Sequence, residues 1–426
     1  MGHLVVVGGG WAGCAAALAA AKKGLSVTLI ERTDRLLASG LVGGIMRNNA
    51  RYTAAEELIM LGAGELIEIT DANARHIEVS FPGHNHATLY DVGRIEAPVQ
   101  HVLERHGVKF LFQSRVVDTE RDGQRIRAVS LFQEDRLVEG DFFIDASGTA
   151  GPVGNCSRYG NGCAMCVFRC PTFGPRISIA VKAGVKEIPI YREDGSPGFF
   201  SGSCELETSS LDSRLIEEIR RKGVLLYPLP AALSGDNPAH PARLKACRQY
   251  SAAAYKDNLV LLDTGVIKMM IPFMPLHLLR CLKGFERAVY RDPLGGSRGN
   301  SVRFSGMITR DNCLMVPPLE NLLVAGERAG LALGHTEALV TGTLAGFNAW
   351  RLNRGLEPLA LPRGTVTGEL IAYTRLKGRS PEGRQTLYNL SGGSLWEYLC
   401  KHELYTVDRA LIKKRLDNAG MLNIFA

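Results

Sequence analysis

Leu4-Val5-Val6-Val7-Gly8-Gly9-Gly10-Trp11-Ala12-Gly13 opens the chain with an apolar strand that runs straight into a glycine loop. An alanine-rich helix follows through Cys14-Ala15-Ala16-Ala17-Leu18-Ala19-Ala20-Ala21 and stops at Gly24. A strand, glycine loop and helix in this order build a pocket for a dinucleotide pyrophosphate. Gly8 permits the tight turn, Gly10 lets backbone approach phosphate, and Gly13 lets helix and strand pack closely. The helix N-terminus, at Trp11 and Ala12, offers free N–H groups and a partial positive charge to the anion. A second strand, Val27-Thr28-Leu29-Ile30, ends on Glu31 and Arg32, where an acid accepts hydrogen bonds from a ribose diol. A packed βαβ unit that binds nothing is the competing reading, and the agreement of all the parts disfavours it.

With 426 residues, the chain exceeds one typical domain. Hydrophobic content of 46% supports a real core. No apolar run reaches transmembrane length, because the stretch from Leu259 to Leu282 is broken by Asp263 and Lys268. The apolar N-terminus reads as a fold element, so a cytoplasmic protein without membrane contact is expected. The net charge of +7 mildly favours acidic partners. Ten cysteines without an export signal favour thiol, metal or redox chemistry over structural disulfides.

The glycine-rich segment Ser39-Gly40-Leu41-Val42-Gly43-Gly44-Ile45 is too apolar for a solvated loop and is expected to lie over a ligand. Helices are expected over about 54–69, 97–106 and 210–222. His84 and His86, in a polar stretch, read as surface residues. Phe110-Leu111-Phe112 and Arg115-Val116-Val117 read as a strand pair, and Ile126 to Leu131 as a further strand. The strand Phe142-Phe143-Ile144 runs into Asp145-Ala146-Ser147-Gly148-Thr149-Ala150-Gly151. A strand ending in this way resembles the second contact element of glutathione-reductase-type FAD-binding proteins. That resemblance implies FAD, with Ala146, Ser147 and Gly148 against the cofactor and Val116 or Val117 lining its adenine pocket.

The chain later returns to the same pattern. Asn321-Leu322-Leu323-Val324-Ala325-Gly326-Glu327 is a strand and turn. Gly334-His335-Thr336-Glu337-Ala338-Leu339-Val340-Thr341-Gly342-Thr343-Leu344-Ala345-Gly346 follows as a helix whose glycines would let its N-terminus approach a flavin. Close helix packing would use the same glycines.

Together these segments resemble the glucose-inhibited division A family of flavoproteins, which includes enzymes that modify tRNA uridines with FAD and a folate methylene group. The family reads Asn-Leu-aromatic-x-Ala-Gly-Gln and then Gly-Tyr-x-Glu, where this chain has Asn321 to Glu327 and Gly334-His335-Thr336-Glu337. Arg169 to Ile177 is loosely similar to the family's Lys-Thr-Gly-Thr-Pro-Pro-Arg-Ile. The resemblance covers about the first 180 residues and 320–350. It implies an α/β fold: a glutathione-reductase-type FAD-binding Rossmann domain (1–153 and 303–362), an inserted α+β substrate domain (154–302) and a helical C-terminal segment (363–426). It also implies FAD contacts at Gly8, Gly10, Trp11, Ala12, Gly13, Glu31, Arg32, Gly43, Gly44, Gly326, Glu327, Gly334 and Thr336. His335 and Glu337 stand as acid–base candidates at the flavin edge. The long tRNA-modifying members carry a cysteine just ahead of the Gly-Gly-Ile that corresponds to Gly43-Gly44-Ile45. Here that neighbourhood is Leu37-Ala38-Ser39-Gly40, so tRNA is disfavoured as a partner and a small-molecule substrate or an electron-transfer partner is expected.

Cys156, Cys163, Cys166 and Cys170-Pro171 form a cluster just after the second FAD motif. Three readings stay open: a redox-active Cys163/Cys166 dithiol, an iron–sulfur cluster or zinc site held by the four thiols, and buried structural thiols. Cys14 reads as a small packing residue. The basic C-terminal tail reads as helical, able to touch phosphate through Lys413-Lys414-Arg415 or to pack a homodimer, with a solvated face favoured. The resulting expectation is an FAD-dependent oxidoreductase whose flavin is reduced by NAD(P)H or by the substrate. Its alternatives are a tRNA uridine-modifying flavoenzyme and an FAD/iron–sulfur electron-transfer subunit.

Overall fold

The computed structural model describes residues 2–132, 136–148, 177–196, 198–200, 203–233, 254–271, 274–291, 302–303 and 305–426. Its organising element is a five-stranded parallel sheet. The strand order is Leu322–Val324, Phe142–Asp145, His3–Val7, Ser26–Ile30 and Lys109–Leu111. The first strand pairs in register with both neighbours, Leu4 with Val27 and with Phe142. Parallel strands covered on both faces need near-continuous apolar residues, and Leu4, Val5 and Val6 are fully buried.

The first helix, Trp11–Lys22, buries residues 11 to 20. Its alanines expose little side-chain bulk, so the long closing helix His335–Asn353 can lie flush against it. A Cβ at Gly342 would stand 2.2 Å from Ala12 O, and one at Gly346 2.1 Å from Ala16 O. The glycines of the closing helix therefore serve its contact with the first helix.

The region expected as one helix over 54–69 forms two, Ala50–Met60 and Glu65–Ala72. Between them the backbone of Gly62 takes φ +89, which breaks the helical path. The segments 110–112 and 115–117 do not pair. The first joins the parallel sheet, while Val116–Asp122 pairs with Arg125–Leu131 in a separate antiparallel sheet. The stretch carrying His84 and His86 is a hairpin, Ala74–Phe81 with His84–Tyr90. His84 is buried, paired to Asn48 and stacked on Phe81, whereas His86 pairs with Glu78 at the surface. Buried polar pairing at His84 has no signature in the local sequence.

A second core gathers residues from Cys204 to Tyr290 around the four-stranded antiparallel sheet Cys204–Leu206, Ile267–Met269, Asn258–Asp263 and Val224–Pro228. The helix expected near 210–222 spans Ser213–Lys222, capped by Asp212. One face of this sheet packs on that core. The other meets the hairpin and Ile45 through Val260, Leu262 and Met270. Residues 179–199, expected inside the insert, pack instead on the main core through Ile179, Ala180, Ile190 and Phe199. The C-terminal segment is helical as expected, over Val366–Gly378, Gly393–Lys401 and Arg409–Asn418, and its Leu395, Leu399, Ile412 and Leu416 complete the main core. Among the described residues no helix is long and apolar enough to cross a membrane.

Candidate functional site

The strand ends of the parallel sheet converge on the glycine loop. Gly8 takes φ +108, and a Cβ there would lie 2.4 Å from Ala146 O, so loop and second contact element touch backbone to backbone. A Cβ on Gly13 would collide with Gly8 O at 1.8 Å. Gly10 differs: a Cβ there would meet nothing within 4 Å. It caps the first helix without any side-chain hydrogen bond, so no capping side chain covers the N–H groups of Ala12 and Gly13 in the first turn. This cradle fits a pyrophosphate.

Glu31 is buried at the rim of this cradle. Its Oε2 accepts from Gly9 N at 2.8 Å and its Oε1 from Thr33 N and Oγ1, both at 2.9 Å. Oε2, which accepts a single bond, retains a lone pair for a ribose hydroxyl. Arg32 follows at the edge. Val116 is buried at the start of its strand and Val117 is half-buried. Asp145 accepts from Ser147 N and Oγ through one oxygen and from Ser178 Oγ at 2.6 Å through the other. Arg328, almost fully buried, lies 3.9 Å from Asp145 and 2.7 Å from Glu187. Gly148, next to Ser147, takes φ +73. Gly326 donates its N–H to Thr341 Oγ1, and Glu327 follows it half-buried.

The apolar glycine segment lies against this site as a short helix, Gly40–Gly43, after two strained residues, Leu37 and Ala38, at φ +68 and +42. Leu37 N donates to Gly9 O at 2.7 Å, which straps the segment to the glycine loop. From one side it rests on an aromatic floor of Trp11, Tyr90 and His335. A Cβ on Gly40 would strike Trp11 Nε1, and one on Gly43 would strike His335 Cε1 at 1.6 Å. The Tyr90 hydroxyl donates to Gly40 O at 2.5 Å. From the inserted sheet the buried Lys268 ammonium donates to Val42 O and Gly43 O, each at 2.6 Å. Glu205 sits opposite Lys268 in the strand register and 3.6 Å from Arg291. Gly44, at φ +72, abuts Thr264, and Thr336 Oγ1 donates to Met46 O at 2.6 Å. A cleft of about 580 Å³, lined by Arg35, Leu41, Val92, Arg94 and Arg291 among others, opens beside this segment.

His335 is thus at the site, half-buried, beside Gly43. Glu337 has a different setting. Its carboxylate is completely buried, both oxygens accept from Arg51 Nε at 3.0 and 2.9 Å, and Oε1 also accepts from Leu390 N. Gly334 stands at φ +152, and a Cβ there would overlap Glu337 and Arg51, so both backbone and space call for glycine. Cys14 donates its thiol to Gly9 O under the loop, and burial, with Glu31 next, pushes its pKa far up. Cys156, Cys163, Cys166 and Cys170 lie outside the described residues. Among the described residues no group of three or more His, Cys, Asp or Glu side chains could hold a metal.

Tyr90, Lys268, Arg51 and Arg328 are missing from the residues picked out by sequence. Lys268 left a trace there, as a lone cation inside an apolar stretch. Tyr90 left none, because its strand reads as polar.

Comparison with known proteins places the chain. Residues 3–152 match the model of FAD dependent oxidoreductases, and residues 265–357 match that of glucose inhibited division protein A. The structure of Aquifex aeolicus GidA superposes with a TM-score of 0.67 at 17% identity, over 98% of this chain and 73% of that one. The methylenetetrahydrofolate–tRNA-(uracil-5-)-methyltransferase TrmFO of Symbiobacterium thermophilum is 26% identical, covering 87% of this chain and 86% of its own. Its namesake from Rubrobacter xylanophilus is 27% identical over 88% and 87%. These relatives overturn one expectation. A small-molecule partner, with tRNA disfavoured, was inferred from the missing thiol near Gly43, yet proteins named for tRNA modification align along nearly the whole chain. The absence of one side chain from a loop weighs less than similarity over 87–88% of the chain.

Proposed function

Starting from an FAD-dependent oxidoreductase that resembles the glucose-inhibited division protein A family, we propose that this chain methylates C5 of a tRNA uracil with the carbon of methylenetetrahydrofolate. One observation carries this reading. The methyltransferases at 26–27% identity match 87–88% of the chain, a length that takes the likeness beyond the cofactor fold and through the inserted sheet. The geometry is compatible with it. The glycine cradle and the first helix N-terminus would hold a pyrophosphate, Glu31 would hold a ribose, and Ala146, Ser147 and Gly148 would form the opposite wall.

FAD, when bound, supplies the two electrons that turn a one-carbon methylene into a methyl group. The chain's own residues do the rest. Trp11, Tyr90 and His335 support the Gly40–Gly43 segment from below, and Lys268 ties it to the inserted domain. The arginines of the cleft beside Leu41 offer cations to phosphate or carboxylate. In the long tRNA-modifying members of the family the cysteine ahead of Gly-Gly-Ile attacks the uracil ring; with no thiol ahead of Gly43 here, Cys163 and Cys166, the thiols singled out by sequence, are the first candidates for that role.

The test is direct. tRNA from a strain lacking this protein is incubated with the purified flavoprotein, methylenetetrahydrofolate and NADH, and its nucleosides are resolved by mass spectrometry. Appearance of 5-methyluridine supports the proposal, and its loss in Cys163→Ser or Cys166→Ser locates the thiol. Unmethylated tRNA from a preparation whose flavin is reduced by NADH would overturn it.

A further inference from the structure

Tyr90 Oη and His335 Nδ1 lie 3.2 Å apart, and the hydrogens of this pair can be assigned by elimination. The Tyr90 hydroxyl owns one hydrogen. Gly40 O, 2.5 Å from Oη, can only accept, and two oxygen lone pairs facing each other at that distance would repel strongly. Tyr90 is completely buried, and burial keeps its phenol protonated. The hydroxyl hydrogen therefore points at Gly40, and a lone pair of Oη faces His335. A ring nitrogen that meets a lone pair must carry hydrogen.

We infer that Tyr90 fixes the His335 imidazole as its Nδ1–H tautomer, so that Nε2 is the nitrogen that takes up and gives off a proton against Gly43. The position of the ring supports the assignment. A Cβ built on Gly43 would lie 1.6 Å from Cε1, 2.4 Å from Nε2 and 2.8 Å from Nδ1, so the ring meets Gly43 through Cε1 with Nε2 as the nearer nitrogen. Trp11 and Tyr90 hold the ring from the first helix and the hairpin. Lys268 reaches the carbonyls of Val42 and Gly43, Glu205 acts electrostatically on Tyr90, and Glu337 is neutralised by Arg51. A hydrogen-bonded neighbour that selects the tautomer of a histidine also selects which nitrogen does chemistry. Tyr90 is accordingly a positioning residue.

The assignment concerns the protein alone and stands or falls separately from the tRNA reading. The experiment is a long-range proton–nitrogen correlation spectrum of the flavin-loaded protein labelled with ¹⁵N-histidine. The His335 signals are identified by their loss in His335→Asn, or in His335→Tyr if the first variant fails to fold. A pyrrole-type shift at Nδ1 and a pyridine-type shift at Nε2 are expected, with Nε2 the nitrogen that moves on acidification. In Tyr90→Phe the Nε2 signal is expected to move toward the pyrrole type, because no oxygen remains to hold the Nδ1 hydrogen. An Nε2–H tautomer in the native protein overturns the inference, as does a tautomer unchanged in Tyr90→Phe.

Discussion

Gly342 lies on the backbone of Ala12, so that a methyl group added there would stand 2.2 Å from the Ala12 carbonyl oxygen. Replacing a helical glycine by alanine ordinarily gains about 1 kcal/mol of helix propensity. Forcing a methyl into a closed contact costs about 1–3 kcal/mol, and here the obstacle is backbone, which cannot rotate away. Gly342→Ala and Gly346→Ala are therefore expected to lower the thermal midpoint and the amount of FAD retained on purification. A more stable Gly342→Ala protein would contradict the close contact.

Glu337 and Arg51 form a buried pair, and removing one member strands the other. Glu337→Gln is expected to cost about 3–5 kcal/mol in denaturant unfolding. The double variant Arg51→Met/Glu337→Leu should recover much of that loss. If Glu337→Gln instead kept full stability while abolishing turnover, the acid–base role suggested by sequence would be restored.

Glu31 accepts one hydrogen bond from Gly9 in the glycine loop and two from Thr33. Hydrogen bonds to a charged group are worth about 1.5–3 kcal/mol, so Glu31→Ala is expected to weaken FAD binding by tenfold or more, since about 1.4 kcal/mol is a factor of ten. Flavin fluorescence titration of the apoprotein measures this directly. Unchanged affinity would show that the carboxylate serves the loop alone.

Lys268 holds the Gly40–Gly43 segment from the inserted domain. In Lys268→Met the carbonyls of Val42 and Gly43 lose their donor, and hydrogen exchange of the amides around 40–46 is expected to accelerate. Gly43→Ala should disturb the same amides from the opposite side, by displacing His335. Protection unchanged in both variants would mean that neither contact governs this segment.

Asp263 joins the insert to the hairpin through Arg75 Nε at 2.8 Å and His76 Nε2 at 3.0 Å. Burial pushes its pKa up, but the hydrogen bonds from Arg75 and His76 outweigh burial and hold it below the usual carboxylate range. A folded pKa below the unfolded value of about 3.9 gives stability that is complete above that pH and is lost as pH falls through the folded value. Asp263→Asn is expected to be less stable at neutral pH and to have a flatter acid limb in unfolding curves. An acid limb identical to the native one would assign that pH dependence to other carboxylates.

The cofactor half of the site was legible because local rules dictate it. Gly8, Gly13 and Glu31 sit where a strand, a tight turn and a helix N-terminus require those residue types, and Asp145 to Gly148 repeats the logic on the neighbouring strand. The floor under Gly40–Gly43 was not legible, since Tyr90 and His335 are distant in sequence and meet only through sheet and hairpin packing. Lys268 was visible as an anomaly but not as a partner, because a buried ammonium is explained only by the carbonyls it finds. Glu337 misled for the complementary reason. Its place beside His335 in sequence suggested a shared role, while helical rotation turns it into the core against Arg51. The reading of tRNA failed on a loop where one absent thiol was given more weight than the whole chain.

The contact between the first helix and His335–Asn353 also sets an order on biogenesis. The alanine face of residues 12–16 leaves the ribosome about 330 residues before the glycines that cover it, which is on the order of 17–66 s at a usual synthesis rate of roughly 5–20 residues per second. Throughout that interval the nascent chain carries an uncovered apolar strip and a cradle lacking one wall. FAD capture is thus coupled to completion of the chain, and a ribosome stalled anywhere before Asn321 leaves a product with half a cofactor site and an apolar surface suited to chaperones.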